Sequence, residues 1–259
     1  MEINLMVLGV GNSRLAVGIF RSGELEYVNR LSLDRREDWA AQLGRAWSQI
    51  AGLPHASVAG ASVNPSLDEL LGKLIQEACG LQIQWVGKEL EVPVEVRTQS
   101  PGETGIDRIL NTAAAFEQIG KACVVVDAGT AITVDLCDDN GDFLGGAIAP
   151  GVSMMLDALH EKAAQLPRVD FDVPTPGEAV ADSTRSAIRH GIFYGIRGMV
   201  RELVENYATE LGAWPDVIAT GGDAEKLFSG WEVVHAISPD LTLYGIALAY
   251  SNHHLKNEL

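Results

Sequence analysis

The sequence predicts a duplicated α/β fold, in which helices cover a sheet in each of two halves. Three observations point to it. Buried-type apolar runs alternate with segments of helical period. A strand, a glycine loop, a second strand, a turn and a third strand follow one another twice. The two copies match at a fixed offset of 118 residues, which places Val7 on Val125, Gly11 on Gly129, Asn12 on Thr130 and Gly23 on Gly141 without a gap. The boundary is expected near 115–122, dividing the chain into an N-terminal domain over 1–117 and a C-terminal domain over 118–259.

The elements follow in order. Leu5 to Leu8 forms a buried run, Gly9 to Ser13 turns, and Leu15 to Phe20 is apolar again. Ser22-Gly23 supplies a hairpin turn before a strand from Glu24 to Val28. Residues 36–51 carry Trp39, Leu43, Trp47 and Ile50 at helical spacing. A strand at Ala56–Ala61 precedes a helix through Leu67, Leu71 and Ile75. After a loop at Pro101-Gly102, a strong helix runs from about Gly105 to Ile119. The second copy then opens with Val124–Thr130, continues through Ile132–Leu136, turns at Asn140-Gly141 and resumes at Phe143-Leu144. A long helix is expected over Ser183–Leu211, and the strand Val217–Ala219 runs into Thr220-Gly221-Gly222-Asp223 and a further helix.

Composition narrows the function. An apolar fraction of 47% supplies a core, and 19 basic against 35 acidic residues gives a formal charge of −16. That balance argues against a nucleic-acid or anionic-membrane surface, which needs clustered Lys and Arg. No window approaches 18 uninterrupted apolar residues, and Met1-Glu2-Ile3-Asn4 lacks a basic leader region. Cys79, Cys123 and Cys137 form no CxxC pair, so reduced thiols and a cytoplasmic location are expected.

Two glycine-bearing hairpin loops facing one another across a cleft form a phosphate-binding device. Backbone N–H groups approach the phosphate oxygens, and Asn12, Ser13 and Thr130 add side-chain donors. The plainer alternative is a tight turn that needs Gly for positive φ. No GxxxxGK[ST] occurs and no GxGxxG follows the first strand, which disfavours a P-loop or a standard dinucleotide fold; no HExxH occurs either. Asp127 and Asp135 bracket the second hairpin, and a carboxylate at the end of an apolar run is costly unless paired, hydrated or metal-bound. Asp107, in the first turn of the strong helix, reads either as a residue stabilised by the helix dipole or as a general base beside the cation Arg108.

Taken together, Gly9-Val10-Gly11-Asn12-Ser13, Gly105-Ile106-Asp107-Arg108, the block from Asp127 to Asp135 and Gly145 to Gly151 resemble the type III pantothenate kinase family over essentially the whole chain. The resemblance implies two duplicated RNase H-like halves of the actin-like and sugar-kinase ATPase superfamily. It implies that Gly9, Val10, Gly11, Asn12, Ser13, Arg14, Leu15 and Ala16 hold ATP phosphates, with Thr130 contacting them from the second half. Gly105, Ile106, Asp107, Arg108 and Thr184 would contact pantothenate, Asp107 being the base, and Asp127 would bind a monovalent cation, potassium or ammonium. Magnesium would accompany ATP, Thr220-Gly221-Gly222 would form the adenosine-side loop, and the protein would be a homodimer. Two positions depart from the family. Gly9 stands where it has an aspartate that organises magnesium, with Ser13 in place of Thr nearby, and Thr98 stands where it has a tyrosine. The expected activity is ATP-dependent phosphorylation of pantothenate, weakened by Gly9. A non-catalytic nucleotide-binding regulator similar to Bvg accessory factor, or a kinase for another small hydroxy acid, is the alternative.

Overall fold

A computed structural model describes residues 3–257 apart from 176 and 179. β1 (Leu5–Val10) is buried along its whole length because both faces of its sheet are covered. It pairs antiparallel with β2 (Arg14–Arg21), which pairs with β3 (Glu24–Ser32) through a turn where Ser22 and Gly23 both take positive φ. On its other side β1 pairs parallel with β4 (Ser57–Ser62), and β4 with the two-residue β5 (Gln84–Trp85). The sheet order is β3-β2-β1-β4-β5.

Strand alternation divides the side chains between two cores. Met6, Leu8, Val10, Leu15, Val17 and Ile19 face α1 (Trp39–Trp47) and α2 (Asp68–Cys79), which contribute Trp39, Leu43, Leu71 and Ile75. Leu5, Val7, Phe20, Ala59 and Ala61 face Leu110 of α3 (Ile106–Ile119) and α7 (Leu241–Asn257), which contributes Leu243, Ile246 and Tyr250. Helices α7 and α3 also meet through Thr242 Oγ1, which donates to Asn111 Oδ1 at 2.7 Å, and through Gly245, whose missing side chain leaves room for the Leu110 carbonyl.

The second half repeats the plan. β6 (Cys123–Ala128) pairs antiparallel with β7 (Ala131–Cys137) and parallel with β9 (Asp216–Thr220); β8 (Phe143–Pro150) and the short β10 (Ala236–Ile237) complete the order β10-β9-β6-β7-β8. Val124, Val126, Ala128, Ile132, Val134 and Leu136 pack against α5 (Thr184–Leu211) and α6 (Ala224–Phe228). α4 (Val152–Lys162) follows β8. Cys123 and Cys137 sit directly opposite one another in β6 and β7, and all three cysteines are free. A hydrogen bond with Cys123, followed by burial, pushes the Cys137 thiol pKa up.

Two features differ from the expectation. The 118-residue offset holds for β1 against β6, and β3 and β8 end at matching positions, but the middle strand is displaced by one residue. Val10 pairs with Leu15 in the first hairpin, whereas Ala128 pairs with Ile132 in the second, so the second loop is one residue shorter. The first hairpin carries a register shift at Ile19/Phe20 equivalent to that at Leu136/Cys137, so the loss is made up not there but in the longer turn between β7 and β8. The boundaries 1–117 and 118–259 also need revision. One unit comprises Met1–Ala114 with Leu241–Leu259, and the other Ala115–Asp240. The last helix belongs to the first unit because Leu243, Ile246 and Tyr250 supply the apolar cover of the first sheet. Among the described residues no helix is long and apolar enough to cross a membrane.

Candidate functional site

In the first unit the loop after β1 is formed by Gly11, Asn12 and Ser13, closed by the Gly11 N–H donating to the Arg14 carbonyl at 3.0 Å. Asn12, Ser13 and Arg14 are exposed, Leu15 is buried in the core and Ala16 pairs with Gly9. Neither Gly11 nor its counterpart Gly129 has positive φ, so a left-handed turn does not explain the glycines. Gly9 lies in extended strand, and a Cβ there would meet Ala16 Cβ and Leu243 Cδ2 at 3.7 Å and Ile246 Cδ1 at 4.0 Å. The position is sterically open to a small side chain and apolar in surroundings.

The Gly105-Ile106-Asp107-Arg108 segment opens α3 in the same unit. Its approach is a short excursion stapled by the hydroxyls of Thr98 and Thr104, 3.1 Å apart. Asp107 folds back so that Oδ1 accepts from the Arg108 N–H at 2.9 Å. The same oxygen lies where a Cβ on Gly105 would approach within 2.8 Å, so the glycine permits the fold-back. Burial pushes the Asp107 carboxyl above the ordinary aspartate range, against the pull of its own and the Arg108 backbone N–H groups and of the Arg108 charge. A carboxylate with raised proton affinity suits a general base; the helix dipole alone would lower that affinity.

In the second unit Asp127 occupies the last turn of the pleat in β6, paired with Thr133 in β7 and Thr220 in β9. Strand alternation sets Asp127, Thr133 and Asp135 on one face, opposite the apolar face that meets α5. Asp135 is 1% exposed, not a surface carboxylate. The Thr133 Oγ1 is shut away from solvent with no hydrogen-bond partner. The Thr220-Gly221-Gly222 turn lies against this face: Gly221 has φ +94°, and a Cβ there would fall on the Asp127 carboxylate and the Ala128 carbonyl. The Asp223 N–H donates to that carbonyl at 3.0 Å, which fixes the turn. Thr130 is exposed, and its carbonyl accepts from the Gly151 N–H at 3.1 Å, tying the loop to the start of α4.

Thr184 is the first residue of α5 and is exposed. Ser183 caps the helix reciprocally with Ser186, each side chain bonding the other's backbone N–H. Among the described residues no three His, Cys, Asp or Glu side chains converge as a metal centre. One carboxylate and an unsatisfied buried hydroxyl are instead a donor set suited to a weakly charged, oxygen-seeking cation, so Asp127 fits the expected monovalent ion. Gly221, whose positive φ brings the turn onto Asp127, is the residue whose structural part was least visible in sequence.

The family model for type III pantothenate kinase matches residues 5–206. A type III pantothenate kinase of Brevibacillus brevis is 34% identical over 96% of this chain and 99% of its own length. Another, from Syntrophotalea carbinolica, is 36% identical over 95% and 98%. Among solved structures, a Baf family transcriptional activator from Campylobacter jejuni aligns with TM-score 0.62 at 24% identity, covering 96% of this chain and 99% of its own. MreB5 of Spiroplasma citri bound to AMPPNP aligns with TM-score 0.52 at 12% identity over the whole of both chains. These structural likenesses show a shared fold.

Proposed function

The chain belongs to the type III pantothenate kinase family, a family of phosphotransferases with an alcohol acceptor, and we propose that it transfers the γ-phosphoryl group of ATP to the primary hydroxyl of pantothenate, the first step of coenzyme A synthesis. The observation that carries this reading is Asp107, held by Gly105 and the Arg108 N–H at the start of α3 with its proton affinity raised by burial. Its carboxylate takes the hydroxyl proton as the substrate oxygen attacks the γ-phosphorus, and the bond to the β,γ-bridging oxygen breaks in line. Arg108 holds the pantothenate carboxylate, with Gly105, Ile106 and Thr184 completing the contacts. Within the run from Gly9 to Ala16, the exposed Asn12, Ser13 and Arg14 hold the phosphates, with Thr130 in the same role, while Leu15 is buried in the core and Gly9 and Ala16 are paired in the strand ladder.

Asp127 would hold a potassium or ammonium ion, whose chemistry there would be fixed positive charge offsetting the charge of the transferring phosphoryl group. Magnesium arrives with ATP. Thr98, whose hydroxyl is hydrogen-bonded to that of Thr104, stands at the sequence position of the family tyrosine. A homodimer is part of the same reading, supported by an exposed α5 face bearing Gly191, Tyr194, Gly195 and Gly198. We place the enzyme in the cytoplasm, in keeping with its three free thiols. The test is a coupled assay with purified protein, ATP, magnesium, potassium and pantothenate. Pantothenate-dependent ADP release supports the kinase. ATP binding without turnover favours the nucleotide-binding regulator, the reading that Gly9 in place of a metal-organising carboxylate would suit. Turnover only with another hydroxy acid would move the substrate assignment and leave the fold-level chemistry.

A further inference from the structure

Thr133 stands out in the second unit. Its Oγ1 is buried without a hydrogen-bond partner, although a hydroxyl taken from water normally recovers at least one bond. It lies directly across the β6–β7 ladder from Asp127, on the same face of the sheet. Opposed residues in an antiparallel pair have Cβ atoms about 4.5–5.5 Å apart, close enough for two side chains to share one small ligand. Asp135 is two residues further along the same face and fully buried. The surroundings are therefore oxygen-rich and negative, and a hydroxyl oxygen there has lone pairs to offer.

We propose that Thr133 Oγ1 is a ligand of the monovalent cation held by Asp127, so that the ion site straddles β6 and β7. The inference rests on the assignment of that cation to Asp127, and it adds a neutral oxygen ligand. Potassium and ammonium differ from sodium chiefly in size, and a carboxylate alone discriminates poorly between them. A hydroxyl fixed on a neighbouring strand sets a minimum distance to the carboxylate and so favours the larger ion. The inaccessibility of Thr133 Oγ1 keeps that oxygen from being satisfied by bulk water when the ion is absent.

The experiment measures the unfolding midpoint of the intact protein, without nucleotide or pantothenate, in potassium, sodium or tetramethylammonium chloride at one ionic strength. Wild type should gain about 2–4 °C in potassium over tetramethylammonium, as expected when an ion binds only the native state. Thr133→Val, of nearly the same shape, should lose most of that gain. In tetramethylammonium it should melt at or above the wild-type midpoint, because it removes a buried hydroxyl that has no partner. Thr133→Ser, which keeps the hydroxyl, should retain the potassium gain. Asp127→Ala should abolish it. A potassium gain in Thr133→Val equal to wild type, with Asp127→Ala still abolishing it, would overturn the Thr133 inference and leave the Asp127 assignment standing. No potassium gain in wild type would overturn both. A Thr133→Val midpoint well below wild type in tetramethylammonium would show that the hydroxyl is satisfied without the ion, and would also overturn the inference.

Discussion

Asp107 is held in a form that favours chemistry over stability. Its folded-state pKa lies above the unfolded value, so ionisation costs the native state a stability that is fully lost above the folded pKa and retained below the unfolded one. Asp107→Asn should therefore raise the unfolding midpoint at pH 7 while lowering kcat by about 10²–10⁴-fold with ATP affinity nearly unchanged. Near-wild-type turnover would return Asp107 to a helix-dipole role. In the wild type, the rate should fall on the acid side at a pH above the ordinary aspartate value of about 4, since only the ionised carboxylate accepts a proton. At Gly9 the expected gain and cost also separate. Gly9→Ala should be nearly neutral because the Cβ finds ordinary contacts of 3.7 Å. Gly9→Asp should raise magnesium-dependent turnover while lowering the midpoint, since its carboxylate starts beside Leu243 and Ile246. A folded, ATP-binding Gly9→Asp protein with unchanged or lower turnover would sink the proposed deficit.

At the scale of elements, α7 and α3 depend on a close approach. A side chain at Gly245 would fall on the Leu110 carbonyl, which is backbone and cannot swing aside. Gly245→Val should separate the helices and destabilise the first unit by about 1–3 kcal/mol, read from denaturant unfolding. A variant as stable as wild type would show that α7 can slide. The sequence makes some elements plain and hides others for physical reasons. α5 carries a capping serine at Ser183 and a long run of apolar residues on one face, so Thr184–Leu211 was legible almost to the residue. α7 buries Leu241, Leu243, Ile246, Ala247, Ala249 and Tyr250, too wide a face for a clear helical period. α4 has the opposite problem, burying only Val152. Asp107 and Asp127 were legible as candidates because their motifs are local. The orphaned Thr133 hydroxyl was not, because its condition depends on the neighbouring strand.

At the scale of the molecule, potassium should accelerate turnover relative to sodium, and Asp127→Ala should remove the difference. Equal rates in the two salts would count against the cation. The two-unit organisation gives another expectation. Ending the chain at Asp240 removes the cover from one face of the first sheet but leaves every strand and helix of the second unit in place. Hydrogen exchange should then show lost protection in β1, β2 and β4 and retained protection in β6, β7 and β9. Uniform loss across both sheets would mean that neither unit holds its structure without the other.

The return of the chain to its first unit also sets an order of events on the ribosome. Domains usually complete themselves in the sequence in which they are synthesised. Here the half that begins first must wait for α7, while Ala115–Asp240 has all its strands and helices beforehand. The later-made half can therefore mature first, and until then Leu5, Val7 and Phe20 remain uncovered on one side in the nascent chain. Slow translation through the codons for α7 would lengthen that exposure and with it the demand for chaperones, a vulnerability confined to the N-terminal sheet.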